Sequence, residues 1–158
     1  MNLPTRKSPR LKGYDYSNEN YYYVTLCTHA KKCIFGAADQ LNAFGKIARQ
    51  ELVDIPSHFN GIQIDKFVIM PNHIHAIIIV GCVDDIEKVK PFPTLSLIIG
   101  LYKSGVTKKI HDINPETEVW QKSFYDEVIR CEQGYRKIWE YIDGNPLLWQ
   151  LDEYHASL

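Results

Sequence analysis

The chain has almost no net charge, few cysteines and no long apolar run, and each shortage bears on the class of protein. Its 18 basic residues nearly balance 19 acidic ones, for a net charge of −1. That balance argues neither for nor against a nucleic-acid partner, and the distribution of the charge says more. Cys27, Cys33, Cys82 and Cys131 are scattered, none in a Cys-x-x-Cys pair. That spacing lacks the zinc-ribbon and dithiol signatures and reads as reduced thiols in a cytoplasmic protein. The longest apolar stretch, around Ala76 to Val80, falls well short of the roughly 20 residues that cross a bilayer. The opening residues put no apolar segment behind their positive charges, so no signal peptide is expected. Repeats, low-complexity segments and a convincing pair of acid–base carboxylates are all missing.

At 158 residues, one domain over 1–158 is expected, with residues 1–20 a polar, proline-bearing arm. The charge is unevenly spread. Arg6, Lys7, Arg10 and Lys12 face no nearby acid, residues 103–109 carry Lys103, Lys108 and Lys109, and acids gather at 84–87 and 112–118. Such basic segments can hold a phosphate backbone or simply solvate the surface, and charge alone does not choose.

Periodicity gives the order of elements. Residues 21–28 alternate as a strand, with Tyr22, Val24 and Leu26 on one side and Tyr23, Thr25 and Cys27 on the other. Helical spacing of Leu41, Phe44, Ile47, Ala48 and Leu52 predicts a helix over 39–54, stopped by Pro56. Strands follow at 61–70 and 73–80, joined by a tight Pro71-Asn72 turn. Residues 81–93 read as a loop. Thr94 then caps a helix to about Ile110, residues 120–130 form a fourth strand, and a last helix spans about 132–145. The β-α-β-β-α-β order predicts an α+β fold of ferredoxin-like, split β-α-β type. Its four-stranded antiparallel sheet carries two helices on one face, and a C-terminal helix follows.

The third strand carries the chemistry. His73 and His75 share one face, with Cα atoms about 6–7 Å apart at roughly 3.3 Å rise per residue. Two imidazoles so placed can converge on one ion or sit as inert polar residues at a sheet edge. Ile74, Ala76, Ile78 and Val80 line the other face and supply burial. On the last helix Tyr135, Ile138, Trp139 and Ile142 form the packing stripe. Tyr141 falls roughly 120° from Tyr135, and Asn145 about 40° from Tyr141, at about 100° per residue. A tyrosine and an amide thus look out together from the edge of a buried face. Asn145 precedes Pro146, a position disfavoured in helical conformation, so it ends the helix and can be read as no more than a cap.

Three segments together change the weight of these readings: Met70-Pro-Asn-His73-Ile-His75, Trp120-Gln-Lys-Ser-Phe-Tyr-Asp126, and Tyr141-Ile-Asp-Gly-Asn145-Pro146. In combination they resemble the single-tyrosine HUH transposases of small bacterial insertion sequences, and more narrowly the REP-associated tyrosine transposases. The segments Arg10-Leu-Lys-Gly-Tyr-Asp-Tyr16 and Asn145-Pro-Leu-Leu-Trp-Gln-Leu-Asp152 are similar to that subgroup as well. The resemblance implies that His73, His75 and Asn145 bind a divalent metal and that Tyr141 attacks a DNA phosphate, giving a 5′-phosphotyrosine and a free 3′-hydroxyl. Mixed imidazole and amide ligation suits Mg²⁺ or Mn²⁺ better than a closed zinc site. Single-stranded or hairpin DNA is the implied substrate, with Arg10, Lys12, Tyr14, Lys103, Lys108 and Lys109 as candidate contacts. Either a homodimer or a monomer is compatible with the resemblance, and no membrane is involved. Two other readings stand beside it: a non-catalytic nucleic-acid-binding module of ferredoxin-like fold, and a metal-dependent phosphodiester hydrolase.

Overall fold

The computed structural model describes residues 20–81 and 92–149. The N-terminal arm and most of the acidic loop lie outside these residues. Strand β1 (Asn20–Cys27) is built from aromatic and β-branched side chains that suit a pleated surface. Helix α1 (Ala43–Val53) begins later than the apolar spacing predicts, because the Asn42 side chain accepts from Gly45 N at 2.9 Å and caps it there. Pro56 does not end the helical path. It sits in the first turn of a further short helix, α2 (Ile55–His58), where its missing N–H has no partner to lose.

Strands β2 (Ile62–Ile69) and β3 (His73–Val80) follow as predicted, then α3 (Leu95–Ile113), capped by Thr94. The fourth strand, β4 (Tyr125–Ile129), is shorter than the sequence predicts. Ser123 takes a φ of 73°, which breaks the extended path, and Trp120 is left as an isolated bridge to Thr28. Helix α4 (Glu132–Gly144) closes the order, its N-terminus capped by Cys131.

The sheet is antiparallel in the order β2-β3-β1-β4, the ferredoxin-like α+β arrangement. Its two faces are unlike. Ile74, Ala76, Ile78 and Val80 of β3 join Tyr22, Val24 and Leu26 of β1 in a large core with the apolar faces of α1 and α3. The opposite face buries a smaller cluster, in which Ile138 and Ile142 of α4 meet Tyr23, Ile77 and Ile129. His73 and His75 belong to this second face by strand alternation. Among the described residues, no helix is long and apolar enough to cross a membrane.

Candidate active site

The two histidines stand side by side on β3, fully buried, with ring centroids 4.6 Å apart. Each ring is fixed through Nδ1. Asn72 Nδ2 donates to Lys31 O at 3.2 Å, which orients the amide and turns Oδ1 toward His73 Nδ1 at 2.8 Å. A carboxamide oxygen only accepts, so in the neutral ring Nδ1 carries the proton and Nε2 the lone pair. His75 Nδ1 lies 2.8 Å from the Tyr23 hydroxyl and 2.9 Å from Thr25 Oγ1. Thr25 is the register partner of His75 in β1, so sheet pairing itself delivers that hydroxyl. Both Nε2 atoms are buried.

Helix α4 lays its polar edge over this pair. The Tyr141 ring comes within 5.3 Å of the His75 ring, and the Trp149 ring within 5.8 Å of the His73 ring, centroid to centroid. Asn145 lies four residues from each of them and is itself buried. The preference against helical conformation before proline is overridden here, since Asn145 keeps φ −58° and ψ −44°. Asn145 N–H supplies the bond to Ile142 O that Pro146 could not make, and the turn through Leu148 continues the helical curl. Tyr141, Asn145 and Trp149 therefore stay in line above the histidines.

Asn145 Oδ1 is buried and accepts no hydrogen bond among the described residues. A buried amide acceptor on the helix turn whose Tyr141 and Trp149 rings meet two imidazoles offers oxygen and nitrogen donors of the kind that a hard divalent cation accepts. Among the described residues there is no group of three or more His, Cys, Asp or Glu that could hold a metal.

The two tyrosines of α4 are chemically distinct. Tyr135 donates to Asp65 Oδ2, and that bond, with burial and the Asp65 charge behind it, pushes its pKa up to about 12. Tyr135 is held as a phenol, so Tyr141 is the nucleophile candidate on this helix. Trp139, predicted as a packing residue, is 36% exposed and carries Lys66 Nζ 4.1 Å above its ring. The reason is a bulge between Ile64 and Lys66, which sends Asp65 and Lys66 together toward α4.

The other predicted contacts lie elsewhere. Lys103, Lys108 and Lys109 sit on α3, whose apolar side packs on the sheet face opposite the histidines. Lys103 Nζ holds the carbonyls of Gln121 and Ser123, and Lys109 is paired with Glu51. Arg10, Lys12 and Tyr14 lie outside the described residues. Tyr23, Thr25 and Asn72 were not singled out from sequence as parts of the site. Alternation put Tyr23 and Thr25 on one face, but only strand register shows that this face is the histidines' own.

No family model matches the chain. A protein of Haemophilus influenzae described as uncharacterized is 36% identical over 174 residues, spanning 96% of this chain and 94% of its own. The chain belongs to the same family as that relative. A REP-associated tyrosine transposase solved bound to a REP hairpin superposes with a TM-score of 0.66 at 17% identity, covering 91% of this chain and 76% of that one. A candidate transposase of Deinococcus radiodurans gives a TM-score of 0.55 at 15% identity, over 85% and 97% of the two chains. The fold is that of the REP-associated tyrosine transposases.

Proposed function

We propose that this chain, a member of the Haemophilus influenzae protein's family with the REP-associated tyrosine transposase fold, is a metal-dependent DNA endonuclease and strand transferase. Its substrate is single-stranded or hairpin DNA, in keeping with the hairpin bound by the structural relative. The observation that supports this most is the approach of the Tyr141 ring to His75, with Asn145 buried between Tyr141 and Trp149. His73, His75 and Asn145 would hold Mg²⁺ or Mn²⁺, which when bound neutralises charge on the non-bridging phosphate oxygens. Tyr141 Oη forms a bond to phosphorus as the bond to the 3′ oxygen breaks. The phenol proton passes to solvent and the leaving oxygen takes one up as a 3′-hydroxyl. The phosphate stays on Tyr141 as a 5′-phosphotyrosine, so the bond energy is kept for rejoining. Asn72, Tyr23 and Thr25 hold the two rings still during this exchange.

The test is incubation of end-labelled hairpin oligonucleotides with protein and Mn²⁺, followed by denaturing electrophoresis. Wild-type protein should retard labelled DNA covalently, and Tyr141→Phe should not. Free cleaved product from the phenylalanine variant would transfer the reading to a hydrolase that uses water. Binding by both proteins without any cleavage would leave a nucleic-acid-binding module.

A further inference from the structure

All the groups just described lie at one end of the sheet, where β1 leaves and β3 enters. The turn that follows β1 sits at the same end, because Cys27 is the register partner of His73. In this turn (His29–Lys31) Ala30 and Lys31 have φ of 53° and 54°. Two consecutive residues with a Cβ in the left-handed region are uncommon, and they persist only where surrounding bonds over-determine them. Those bonds run to the candidate site. Thr28 N–H donates to Asn72 O at 3.0 Å, and the buried Thr28 hydroxyl lies 3.0 Å from Asn72 O and 2.8 Å from Lys32 O. Asn72 Nδ2 donates to Lys31 O, while its Oδ1 holds His73. One buried amide thus joins a candidate metal ligand to a strained turn, and the turn exposes Lys31 and Lys32.

We propose that the turn after β1 is a phosphate-binding element, with Lys31 and Lys32 gripping the DNA backbone beside the phosphate that Tyr141 attacks. This rests on the reading of the site as one for single-stranded DNA. The left-handed turn places two exposed lysines next to each other at the end of the sheet that carries the site. The lysines of α3, on the opposite face, take no part.

The experiment uses the full chain and a fluorescently labelled DNA hairpin with a single-stranded tail, followed by anisotropy across a salt series. Lys31→Gly with Lys32→Ala should weaken binding about tenfold or more at low salt, and each lysine should lower the salt slope by about 0.7. Lys108→Ala should change neither. Lys31→Gly keeps the left-handed backbone, which glycine accepts without strain. Should that variant disturb the turn, Lys32→Ala, at an ordinary φ of −68°, carries the binding test by itself. Parental affinity and slope in the double variant would overturn the proposal, as would a loss no larger than that of Lys108→Ala. Lysine-dependent binding without cleavage or adduct would keep the phosphate grip while sinking the transferase reading. Failure of wild type to bind the hairpin would sink both.

Discussion

His75 shows how little of a site a single residue specifies. Its imidazole offers two nitrogens, and Nδ1 is engaged by two hydroxyls on a strand fifty residues away. With Nδ1–H donating to Tyr23 or Thr25, Nε2 would be the atom left to ligate the proposed metal. Either hydroxyl alone can accept that proton. Tyr23→Phe and Thr25→Val should therefore each change Mn²⁺ affinity only a few-fold. Together they should lower it by about 10–100-fold, the usual cost of losing outer-shell partners. Titration calorimetry measures the affinity, and the ¹⁵N shift of His75 Nδ1 in metal-free protein reports the tautomer. An unchanged shift in the double variant would mean that neither hydroxyl sets it. That His73 and His75 share a strand face, and Tyr141 and Asn145 a helix edge, was legible in sequence because strand and helix periods are local. The roles assigned to them came from the resemblance. Tyr23, Thr25 and Asn72 were not legible, because their roles come from register and from a buried turn.

At the scale of elements, α4 is placed by a defect in its neighbour. The bulge in β2 turns Asp65 and Lys66 to the same side, where Asp65 accepts from Tyr135 and Lys66 pairs with Asp143 at 2.8 Å. The apolar stripe of α4 was readable; the bulge was not, since nothing in the local pattern around Asp65 marks an extra residue. The clamp carries its own pH signature. Tyr135 has its folded pKa raised from 10.0 to about 12, so the stabilisation is complete below pH 10 and is lost as pH rises through 12. Wild-type protein should lose melting temperature more steeply than Tyr135→Phe across that window. Parallel profiles in thermal melts would show that the Asp65 bond contributes nothing to holding the helix. Below pH 10 the variant should be the less stable of the two, by about 0.5–1.5 kcal/mol.

For the whole molecule the division between faces matters most. One face carries the large core with α1 and α3, and the other carries the histidines beneath α4. The ferredoxin-like order of elements was legible because each strand and helix announces its own period, but the division of labour between faces became visible only with the sheet assembled. Ile78 is fully buried in the large core, and Ile78→Ala should lower stability by about 2–5 kcal/mol. His73→Ala with His75→Ala removes no packing from that core, yet it takes the imidazole from two buried hydroxyls. The expected loss is about 1–3 kcal/mol for acceptors and donors left buried. If the two faces unfold as one unit, urea melts of all three proteins should show a single transition of equal slope, with only the midpoint moving. The histidine variant should lose nicking of hairpin DNA outright, and Ile78→Ala should keep it at temperatures where it remains folded. A second transition confined to the histidine variant would mean that the α4 layer is held mainly by the site itself.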